Sequence, residues 1–457
     1  MEIKKNDKFT VTIEDMGEDG AGIGRVDGYI WFVKDALIGD TIEASAMKMK
    51  KNYGFARLVR VITPAKGRVE AKCPVARACG GCQLQELDYK EQLKFKEKKV
   101  YNHLKRIGGM ENLFLPEEAD QAAGVPDAVI MEPIIGMEDP WRYRNKAQYP
   151  IGRGKDGKPT AGFFAGRTHS LIPVPELDCL LGCGENKDYL AAVLKFMEDF
   201  GVEPYDEANH KGLVRHVLLR KGFASGEHMV CLVINGKKLP HEKEFTERMR
   251  EVGADSISLS FNMEKTNVIL GTEIKNLYGP GYITDKIGNI EYRISPLSFY
   301  QVNPVQTKKL YDKALEYANL QGGETVWDLY CGIGTISLFL SKKAAKVYGV
   351  EIVPQAIADA KVNAQINGIE NVQFFVGKAE EVLPAEYKEH GVYADVIVVD
   401  PPRKGCDETL LQTIADMQPK RMVYVSCDPA TLARDVKRMG ELGYQVEKVA
   451  VVDQFCQ

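Results

Sequence analysis

The sequence predicts an α/β protein of about three domains. We expect an OB-like β-barrel at residues 1–66, a mixed α/β domain with a metal site at 67–270, and a Rossmann-like domain at 271–457. Three observations lead to this prediction. The chain of 457 residues is too long for one hydrophobic core. Its first segments alternate polar and apolar residues between glycine turns, and a βαβ pattern runs from about residue 283.

The composition is typical of a globular enzyme, with 44% hydrophobic and 27% charged residues. No apolar run is long enough to span a bilayer, and the Met-Glu-Ile-Lys-Lys start lacks the apolar core of a signal peptide. We therefore expect a cytoplasmic protein without membrane contact. In that compartment, the ten cysteines indicate metal binding or catalysis rather than disulfides.

The net charge of −4 and the pI near 6.1 do not predict a nucleic-acid-binding protein, but binding depends on local charge. Residues 90–106 hold seven cations and only two acids, Glu91 and Glu97. A second basic patch, over residues 44–69, holds no acid and seven cations: Lys48, Lys50, Lys51, Arg57, Arg60, Lys66 and Arg68. Each of the two patches indicates either a solvated face or a contact with RNA.

The predicted barrel has five short strands, in FTVTIEDM, GEDGAGIGRVDG, YIWFVKDAL, DTIEASAMKMK and GFARLVRVI. Barrels of the OB type bind single-stranded RNA with a positive face and a few aromatic side chains. Tyr53 and Phe55 lie among the lysines. They either stack on RNA bases or belong to the core of a purely structural barrel.

A cysteine-rich turn follows the barrel in CPVARACGGC. Cys73, Cys79 and Cys82 have the spacing x5 then x2, and three thiolates need one more ligand to complete a four-cysteine site. Cys179 is the candidate for the fourth ligand and Cys183 is the alternative. Zinc accepts four thiolates as readily as an iron–sulfur cluster does, so the spacing leaves both open.

The middle domain begins with a basic helix at about 88–107, followed by a loop-like stretch over 108–130. Residues 141–153, WRYRNKAQYPIGR, mix aromatic and basic side chains on a predicted strand pair, a composition suited to phosphate contact and base stacking. HKGLVRHVLLRKG and EHMVCLVING predict antiparallel strands, and 241–252 predict a helix.

The C-terminal pattern predicts a nucleoside site. A strand ends at Asp328, a turn with Gly332 and Gly334 follows, and Glu351 ends the next strand, where an acid can bind a ribose diol. The third glycine of the dinucleotide fingerprint and a P-loop lysine are missing, which argues against NAD and ATP. S-adenosylmethionine has no pyrophosphate and needs only the turn and the acid. The remaining strands are predicted in VQFFVG, DVIVVD, RMVYVSC and YQVEKVAVV.

Two predicted strands carry reactive side chains to one edge of this sheet. ADVIVVDPPRKG ends at Asp400, and MVYVSCDP runs directly into Cys427. The carboxyl ends of parallel strands form the ligand-binding edge of open α/β folds. We therefore expect Cys427 to be presented at this edge, although an arbitrary cysteine is more often a small buried apolar residue.

With DLYCGIGT, DPPRKG and SCDP, the chain resembles the RNA uridine-5-methyltransferases, most of all the 23S ribosomal RNA enzymes with a TRAM domain and a [4Fe–4S] cluster. SFYQVNP, residues 298–304, matches the motif that opens their catalytic domain. The resemblance implies 23S RNA as the substrate and Cys427 as the nucleophile, with Asp400 also beside the target base. It implies contacts to S-adenosylmethionine from Gln301, Tyr330, Glu351 and Asp400. It implies [4Fe–4S] ligation by Cys73, Cys79, Cys82 and Cys179.

The expected chemistry accounts for the residue types. A thiolate that adds to C6 of uracil turns C5 into an enolate carbon able to attack a sulfonium methyl group. The family continues beyond its Phe-x-Gln with a glutamate base and a last strand, whereas this chain stops at Gln457, so we expect a truncated chain. The alternatives are a tRNA enzyme and an RNA-binding protein with impaired turnover. An amino-group methyltransferase would carry an aromatic residue at Arg403.

Overall fold

The computed structural model describes residues 3–17, 19–166 and 168–457. The N-terminal strands are β1 (Lys8–Met16), β2 (Gly22–Val26), β3 (Tyr29–Lys34), β4 (Thr41–Met49) and β5 (Tyr53–Thr63). They form a closed barrel in the order β1-β2-β3-β5-β4, which confirms the predicted barrel. The pair β3–β5 is parallel, and β1 and β4 pair antiparallel to close the barrel. Trp31, Val33 and Ile42 are buried at its centre.

A long basic helix follows the cysteine-rich turn. Helix α1 (Tyr89–Arg106) begins after Asp88, whose carboxylate accepts the backbone N–H of Lys90. Its buried Leu104 packs in a cluster with Leu113 and with Ala433 of the C-terminal domain. The sequence prediction of a helix at about 88–107 is confirmed.

The middle of the chain forms a seven-stranded sheet in the order β10-β9-β8-β11-β12-β13-β14. All neighbouring strands pair antiparallel except β12 and β13, which are parallel. Helices α2 and α3 share one apolar core with this sheet. The elements are β6 (Leu113–Phe114), β7 (Val129–Ile130), β8 (Lys146–Arg153), β9 (Pro159–Phe164), β10 (Leu171–Pro173), α2 (Asn186–Phe200), β11 (Val214–Lys221), β12 (His228–Ile234), α3 (Glu242–Val252), β13 (Ser256–Phe261) and β14 (Glu273–Tyr278).

The C-terminal part is a five-stranded parallel sheet in the order β19-β18-β17-β20-β21, preceded by an antiparallel hairpin of β15 and β16. Residues on both faces of the parallel strands are buried against helices. The elements are β15 (Ile283–Ile287), β16 (Ile290–Ile294), α4 (Pro304–Ala318), β17 (Thr325–Leu329), α5 (Thr335–Leu340), β18 (Lys346–Glu351), α6 (Pro354–Ile366), β19 (Val372–Val376), α7 (Ala379–His390), β20 (Val396–Val399), α8 (Glu408–Met417), β21 (Arg421–Tyr424) and α9 (Pro429–Glu441).

Several predicted elements differ from the structure. The predicted last strand over 444–452 is irregular. Instead of a full neighbouring strand it meets the short segment 132–135, where the carbonyls of Val449 and Val451 accept from the backbone N–H groups of Glu132 and Ile135. Residues 108–130 are not merely a loop, since β6 and β7 pair there. The pattern from residue 283 opens with a hairpin rather than with a βαβ unit. Only β8 of the strand pair predicted over 141–153 forms.

The predicted domain boundaries stay predictions, although β14 extends the central sheet to Tyr278. Among the helices of residues 3–17, 19–166 and 168–457, none has the length and apolar character that crossing a bilayer requires.

Candidate functional site

The candidate site lies where the order of the parallel sheet reverses. Successive strands run outward from β17 through β18 to β19 on one side and from β20 to β21 on the other. Ligands of open α/β sheets bind in the crevice at this switch point, beyond the carboxyl ends of the strands. The loops after β17, β18, β20 and β21 therefore define the crevice.

The turn after β17 depends on left-handed backbone. Tyr330, Gly332 and Gly334 have φ angles of +70°, +55° and +82°. A Cβ atom on Gly334 would also lie 3.2 Å from the ring of Phe374 and 3.3 Å from Ala360. Glycine at 334 thus avoids both backbone strain and a clash, and lets the turn lie directly on α6 and β19.

Glu351 faces this turn from the end of β18. One carboxylate oxygen accepts the backbone N–H of Gly332 at 3.2 Å, and the other accepts that of Val353 at 3.0 Å. These bonds fix the carboxylate at the end of its strand, beside the glycine turn. The oxygens have further lone pairs that can accept hydroxyl donors such as those of a ribose.

Two carboxyl groups lie close behind the crevice. Burial raises the pKa of Asp400, which directly follows β20, to about 7. Burial, helped by the charge of Asp400, raises the pKa of the fully buried Asp328 on β17 to about 7 as well. The Ser337 hydroxyl donates to Asp328, whose second oxygen has no hydrogen-bond partner among the described residues. At neutral pH both groups can exchange a proton.

Cys427 is exposed, three residues beyond the end of β21. The strand β21 is the direct neighbour of β20, with Val399 opposite Tyr424, and the backbone N–H of Val425 donates to Val399 at 2.8 Å. Asp400 and Cys427 therefore follow neighbouring strand ends. Asp428 caps α9 by accepting the N–H groups of Ala430 and Thr431, both at 3.0 Å, which anchors the backbone directly after the thiol.

Asp435, on the second turn of α9, connects the two reactive loops. Its carboxylate accepts the backbone N–H of Cys406 at 2.8 Å and the Tyr424 hydroxyl at 2.7 Å. Cys406 ends the loop that begins at Asp400, and Tyr424 ends the strand that precedes Cys427. Asp435 was not predicted from the sequence, where its one signal is an acid beside apolar Ala433 and Val436 on an otherwise amphipathic helix.

The segment of Gln301 is held by the middle domain. Asn145 donates to the Gln301 carbonyl at 3.0 Å, and the buried guanidinium of Arg220 donates to the carbonyl of Ser298. Helix α4 begins just after this segment, packs on β20 and β21, and ends where Arg421 at the start of β21 donates to the Ala318 carbonyl. Its amino end, with Gln301, thus lies towards the carboxyl end of β21. Asn145 and Arg220 were also missed from sequence.

The four predicted ligand cysteines lie in one neighbourhood. Burial raises the pKa of Cys82 to about 11, and the nearby thiols of Cys179, Cys79 and Cys73 contribute to this rise. Burial also raises the pKa of Cys79, with contributions from Cys179 and Cys73. Cys183 instead donates its thiol to the Arg144 carbonyl. Throughout the described part of the chain, no group of three or more His, Cys, Asp or Glu side chains is arranged to hold a metal ion.

The surroundings of these cysteines suit sulfur ligands. Gly81 donates its backbone N–H to the Cys79 sulfur at 3.4 Å, and the Gln85 amide donates to the Cys82 sulfur at 3.2 Å. The same Gln85 side chain accepts the backbone N–H of Cys73 at 3.1 Å. Hydrogen bonds to sulfur are among the means by which proteins tune iron–sulfur clusters. The four thiols and these N–H donors therefore fit the iron–sulfur cluster that the sequence resemblance implies. The cysteine side chains are not arranged as a finished site for a single metal ion.

The predicted basic patches are only partly free. Arg68 is bound in ion pairs with Asp40 and Glu86, and Arg60 pairs with Glu43. On α1, Lys94 and Lys96 pair with Glu91 and Asp453. Five cations of the first patch are exposed and form no salt bridge in the described part of the chain: Lys48, Lys50, Lys51, Arg57 and Lys66.

Comparison with known proteins agrees with this architecture. Residues 224–457 match the family described as tRNA (Uracil-5-)-methyltransferase, and residues 4–59 match the TRAM domain. An uncharacterized RNA methyltransferase of Halalkalibacterium halodurans is 50% identical over 455 residues, which cover 99% of this chain and 95% of that protein. One of Clostridium tetani is 48% identical over 456 residues, with 99% and 94% covered.

A solved structure has the same overall fold. It is the Pyrococcus abyssi tRNA (uracil-54, C5)-methyltransferase in complex with S-adenosyl-L-homocysteine, with a TM-score of 0.76 and 26% identity over 98% of this chain and 97% of that one. This likeness extends over the barrel, the middle sheet and the parallel sheet together. The chain belongs to the tRNA (uracil-5-)-methyltransferase family and carries an N-terminal TRAM domain.

Proposed function

We propose that this protein transfers a methyl group from S-adenosylmethionine to C5 of a uridine in RNA, through a covalent bond between Cys427 and C6 of the base. The observation that carries the proposal is the pairing of β20 with β21, which brings an exposed thiol and a carboxyl with a pKa near neutrality to one crevice edge. Addition to a ring carbon needs a nucleophilic thiol and, beside it, a group that can donate or accept a proton.

S-adenosylmethionine would bind along the turn after β17. Glu351 would accept the ribose hydroxyls, and Tyr330, Gln301 and Asp400 would complete the pocket, as the sequence resemblance implies. The support is the left-handed turn that Glu351 already contacts, together with the S-adenosyl-L-homocysteine bound by the Pyrococcus abyssi relative. When bound, the cofactor supplies an electrophilic methyl group on its sulfonium.

The residues of the chain would then act in sequence. The Cys427 thiolate adds to C6, and the electron pair of the C5–C6 bond moves towards C5 and the C4 carbonyl. Asp400, with its pKa near 7, can donate a proton or a hydrogen bond to the ring and so stabilise the enolate that forms. C5 gains the methyl group as the carbon–sulfur bond of the donor breaks. Asp400 as the carboxylate, or a water molecule, then takes the C5 proton, and the electron pair of that C–H bond reforms the C5–C6 double bond as the C6–S bond breaks, which releases the Cys427 thiolate and leaves 5-methyluridine.

We propose that Cys73, Cys79, Cys82 and Cys179 hold a [4Fe–4S] cluster. The support is their electrostatic coupling and the N–H donors aimed at two of the sulfurs. Zinc, which four thiolates also bind, is the alternative occupant of the same cysteines.

For the substrate we propose 23S ribosomal RNA, on the combined resemblance of the TRAM barrel, the three-cysteine turn and the catalytic motifs. Transfer RNA is the second candidate, because the solved Pyrococcus abyssi relative is a tRNA (uracil-54, C5)-methyltransferase. The test is to incubate the protein with unmodified ribosomal and transfer RNA and to quantify methylated nucleosides by mass spectrometry. We expect 5-methyluridine in the ribosomal fraction. A methylated amino group, or RNA binding without any methylation, would refute the proposed reaction.

A further inference from the structure

Two cations lie opposite each other on the middle sheet, beside the segment that carries Gln301. Lys146 is the first residue of β8, and the antiparallel register places it directly opposite Arg220 of β11. The Cβ atoms of such a pair are about 5 Å apart, and like charges at this distance repel each other. We call Lys146 and Arg220 the cation pair.

The cation pair has no counter-ion. Lys146 is half-buried and has neither a hydrogen bond nor a salt bridge within the described residues. Arg220 is 4% exposed; one terminal nitrogen donates to the carbonyls of Pro296 and Ser298, but its Nε–H has no hydrogen-bond partner there. A buried N–H group and a half-buried ammonium without acceptors lower stability unless an anion occupies the space between them.

A third cation adds to the positive charge. The guanidinium of Arg144, two residues before Lys146, lies over the ring of Phe455 at 5.6 Å from its centroid and forms no salt bridge in the described part of the chain. Burial, together with the charges of Arg220 and Arg144, lowers the pKa of Lys146 to about 8. Burial lowers the pKa of Arg220 to about 10. Both shifts show that the positive charges here are desolvated and uncompensated.

The cation pair lies beside the reaction crevice. Asn145, directly before Lys146, donates its amide to the Gln301 carbonyl at 3.0 Å. Gln301 lies towards the carboxyl end of β21, which Cys427 follows, and the neighbouring Phe299 is 71% exposed. An anion bound by the cation pair would therefore be next to the substrate of Cys427.

Two anions of the proposed reaction are candidates: a phosphate of the RNA and the carboxylate of S-adenosylmethionine. The segment 296–302 lies between the cation pair and the parallel sheet, because its carbonyls accept from Arg220 and Asn145 while its Tyr300 is buried in the catalytic core. The turn after β17 and Glu351, where the cofactor is expected, are on the sheet side of this segment. A phosphate also has two free oxygens that can accept from an ammonium and a guanidinium together. These points favour RNA.

We propose that Lys146 and Arg220, assisted by Arg144, bind a backbone phosphate of the RNA next to the target uridine. This inference rests on the proposed function, because it takes RNA as the substrate. The target base must leave its stack to reach Cys427, and a phosphate held at a fixed point keeps the nucleotide in that extruded position. Lys146 is then a positioning residue, since it holds the backbone and does not touch the reacting ring.

A purely structural lysine is the competing role, and stability distinguishes the two. If the ammonium is there for a ligand, the free protein pays for it in repulsion from Arg220, and Lys146→Gln should unfold no more easily than the wild type. If the ammonium supports the fold, the same change should destabilise the protein. We expect Lys146→Gln to keep or increase stability and yet to weaken RNA binding.

The first test labels lysine amines of the intact wild-type protein with acetic anhydride at pH 8 and locates each acetyl group by peptide mass spectrometry. At this pH about half of the Lys146 amines are neutral and reactive. The probes are an oligouridylate of about twelve nucleotides, its uncharged methylphosphonate analogue, and S-adenosyl-L-homocysteine. Lys346 is the internal control, because it is also half-buried at the start of a strand but lies at the amino end of β18.

We expect the oligouridylate, at about ten times its Kd, to slow acetylation of Lys146 roughly tenfold and to leave Lys346 unchanged. The uncharged analogue and S-adenosyl-L-homocysteine should not protect Lys146. In binding titrations, Lys146→Gln should make the dependence of log K on log salt shallower by about 0.7, the value for one phosphate contact with a single strand. Lys146→Arg should keep the wild-type slope, and so should the control Lys346→Gln.

Equal acetylation of Lys146 with and without oligouridylate would overturn the phosphate site. Protection by S-adenosyl-L-homocysteine alone would do so as well, because it would assign the anion to the cofactor, and so would an unchanged salt slope in Lys146→Gln. A methylation assay on the same preparation separates the two proposals. If the wild type methylates uridine while RNA leaves Lys146 unprotected, only the phosphate site is wrong. If RNA protects Lys146 and no methylation occurs, only the proposed reaction is wrong.

Discussion

Replacing Asp328 by asparagine should change how the stability of the catalytic domain depends on pH. In the native protein the pKa of Asp328 is raised to about 7 by burial, whereas its ordinary value is 3.8. Between about pH 4 and pH 7 the unfolded chain has lost this proton and the native protein retains it, so the free energy of unfolding falls as pH rises. The contribution of protonated Asp328 to the free energy of unfolding is fully present below about pH 4 and fully lost above about pH 7.

The magnitude follows from the difference of about three pKa units. Each unit corresponds to about 1.4 kcal/mol, so the carboxyl costs about 4 kcal/mol at pH 8 compared with pH 4. Asparagine has the same shape and does not titrate. We therefore expect Asp328→Asn to gain up to about 4 kcal/mol over the wild type between these pH values, and to differ little from it at pH 4.

The chain offers its own reporter for this assay. Trp327 is buried beside Asp328 and stacks on Tyr348 with a centroid distance of 4.9 Å. With Trp31 and Trp141 replaced by phenylalanine, the fluorescence follows only the catalytic domain during urea unfolding. Asp416→Asn, an exposed acid on α8, is the control. A difference between Asp328→Asn and the wild type that stays constant from pH 4 to pH 8 would refute the reasoning.

Three further changes test other parts of the site. Gly334→Val should weaken S-adenosylmethionine binding at least tenfold in calorimetry, because left-handed backbone costs a branched residue about 1–2 kcal/mol and the side chain strikes a ring; Gly323→Ala, in open space, should bind normally. Asp435→Ala should leave the buried N–H of Cys406 unpaired and the half-buried Tyr424 hydroxyl without its acceptor, destabilise the domain by about 1–3 kcal/mol and slow methylation, and unaltered unfolding would contradict this. Anaerobic protein should contain about four irons, lost in Cys179→Ala and kept in Cys183→Ala; stoichiometric zinc would exclude the cluster.

The order of the site along the chain could be predicted because its signals are local. An apolar run that stops at an acid or a cysteine locates a strand end whatever the rest of the fold does, so the sequence was sufficient to find Asp400, Glu351 and the glycine turn. Parallel strands in one sheet present these ends at one edge. The same reasoning predicted that Cys427 is presented, and it is exposed.

Other features depend on partners far away in the sequence. The segment 444–452 alternates like a strand, but a strand needs a neighbour, and in the described part of the chain Val449 and Val451 meet a short stretch near Glu132 rather than a full strand. Alternation on β5 separates two faces without telling which is inside, and buried Trp31 beneath Gly54 decides that Tyr53 and Phe55 face outward.

The residues that hold distant loops together, Asp435 and Arg220, could not be predicted from the sequence for a similar reason. Asp435 accepts from Cys406, which is 29 residues away, and Arg220 donates to Ser298, which is 78 residues away. A buried charge within an apolar strand or helix is the one local sign of such a role. Its partners become evident only when the loops are placed together.

The most direct test of the proposed reaction is covalent trapping. RNA that contains 5-fluorouridine cannot release the C5 substituent, so a thiolate that has added to C6 stays attached after methyl transfer. We expect wild-type protein with S-adenosylmethionine to form an adduct that survives denaturing electrophoresis, and peptide mass spectrometry to locate the RNA on Cys427. Cys406→Ala, which removes a buried thiol near the crevice, should still form the adduct, and Cys427→Ala should not. An adduct that persists in Cys427→Ala, or that maps to another residue, would contradict the assignment of the nucleophile.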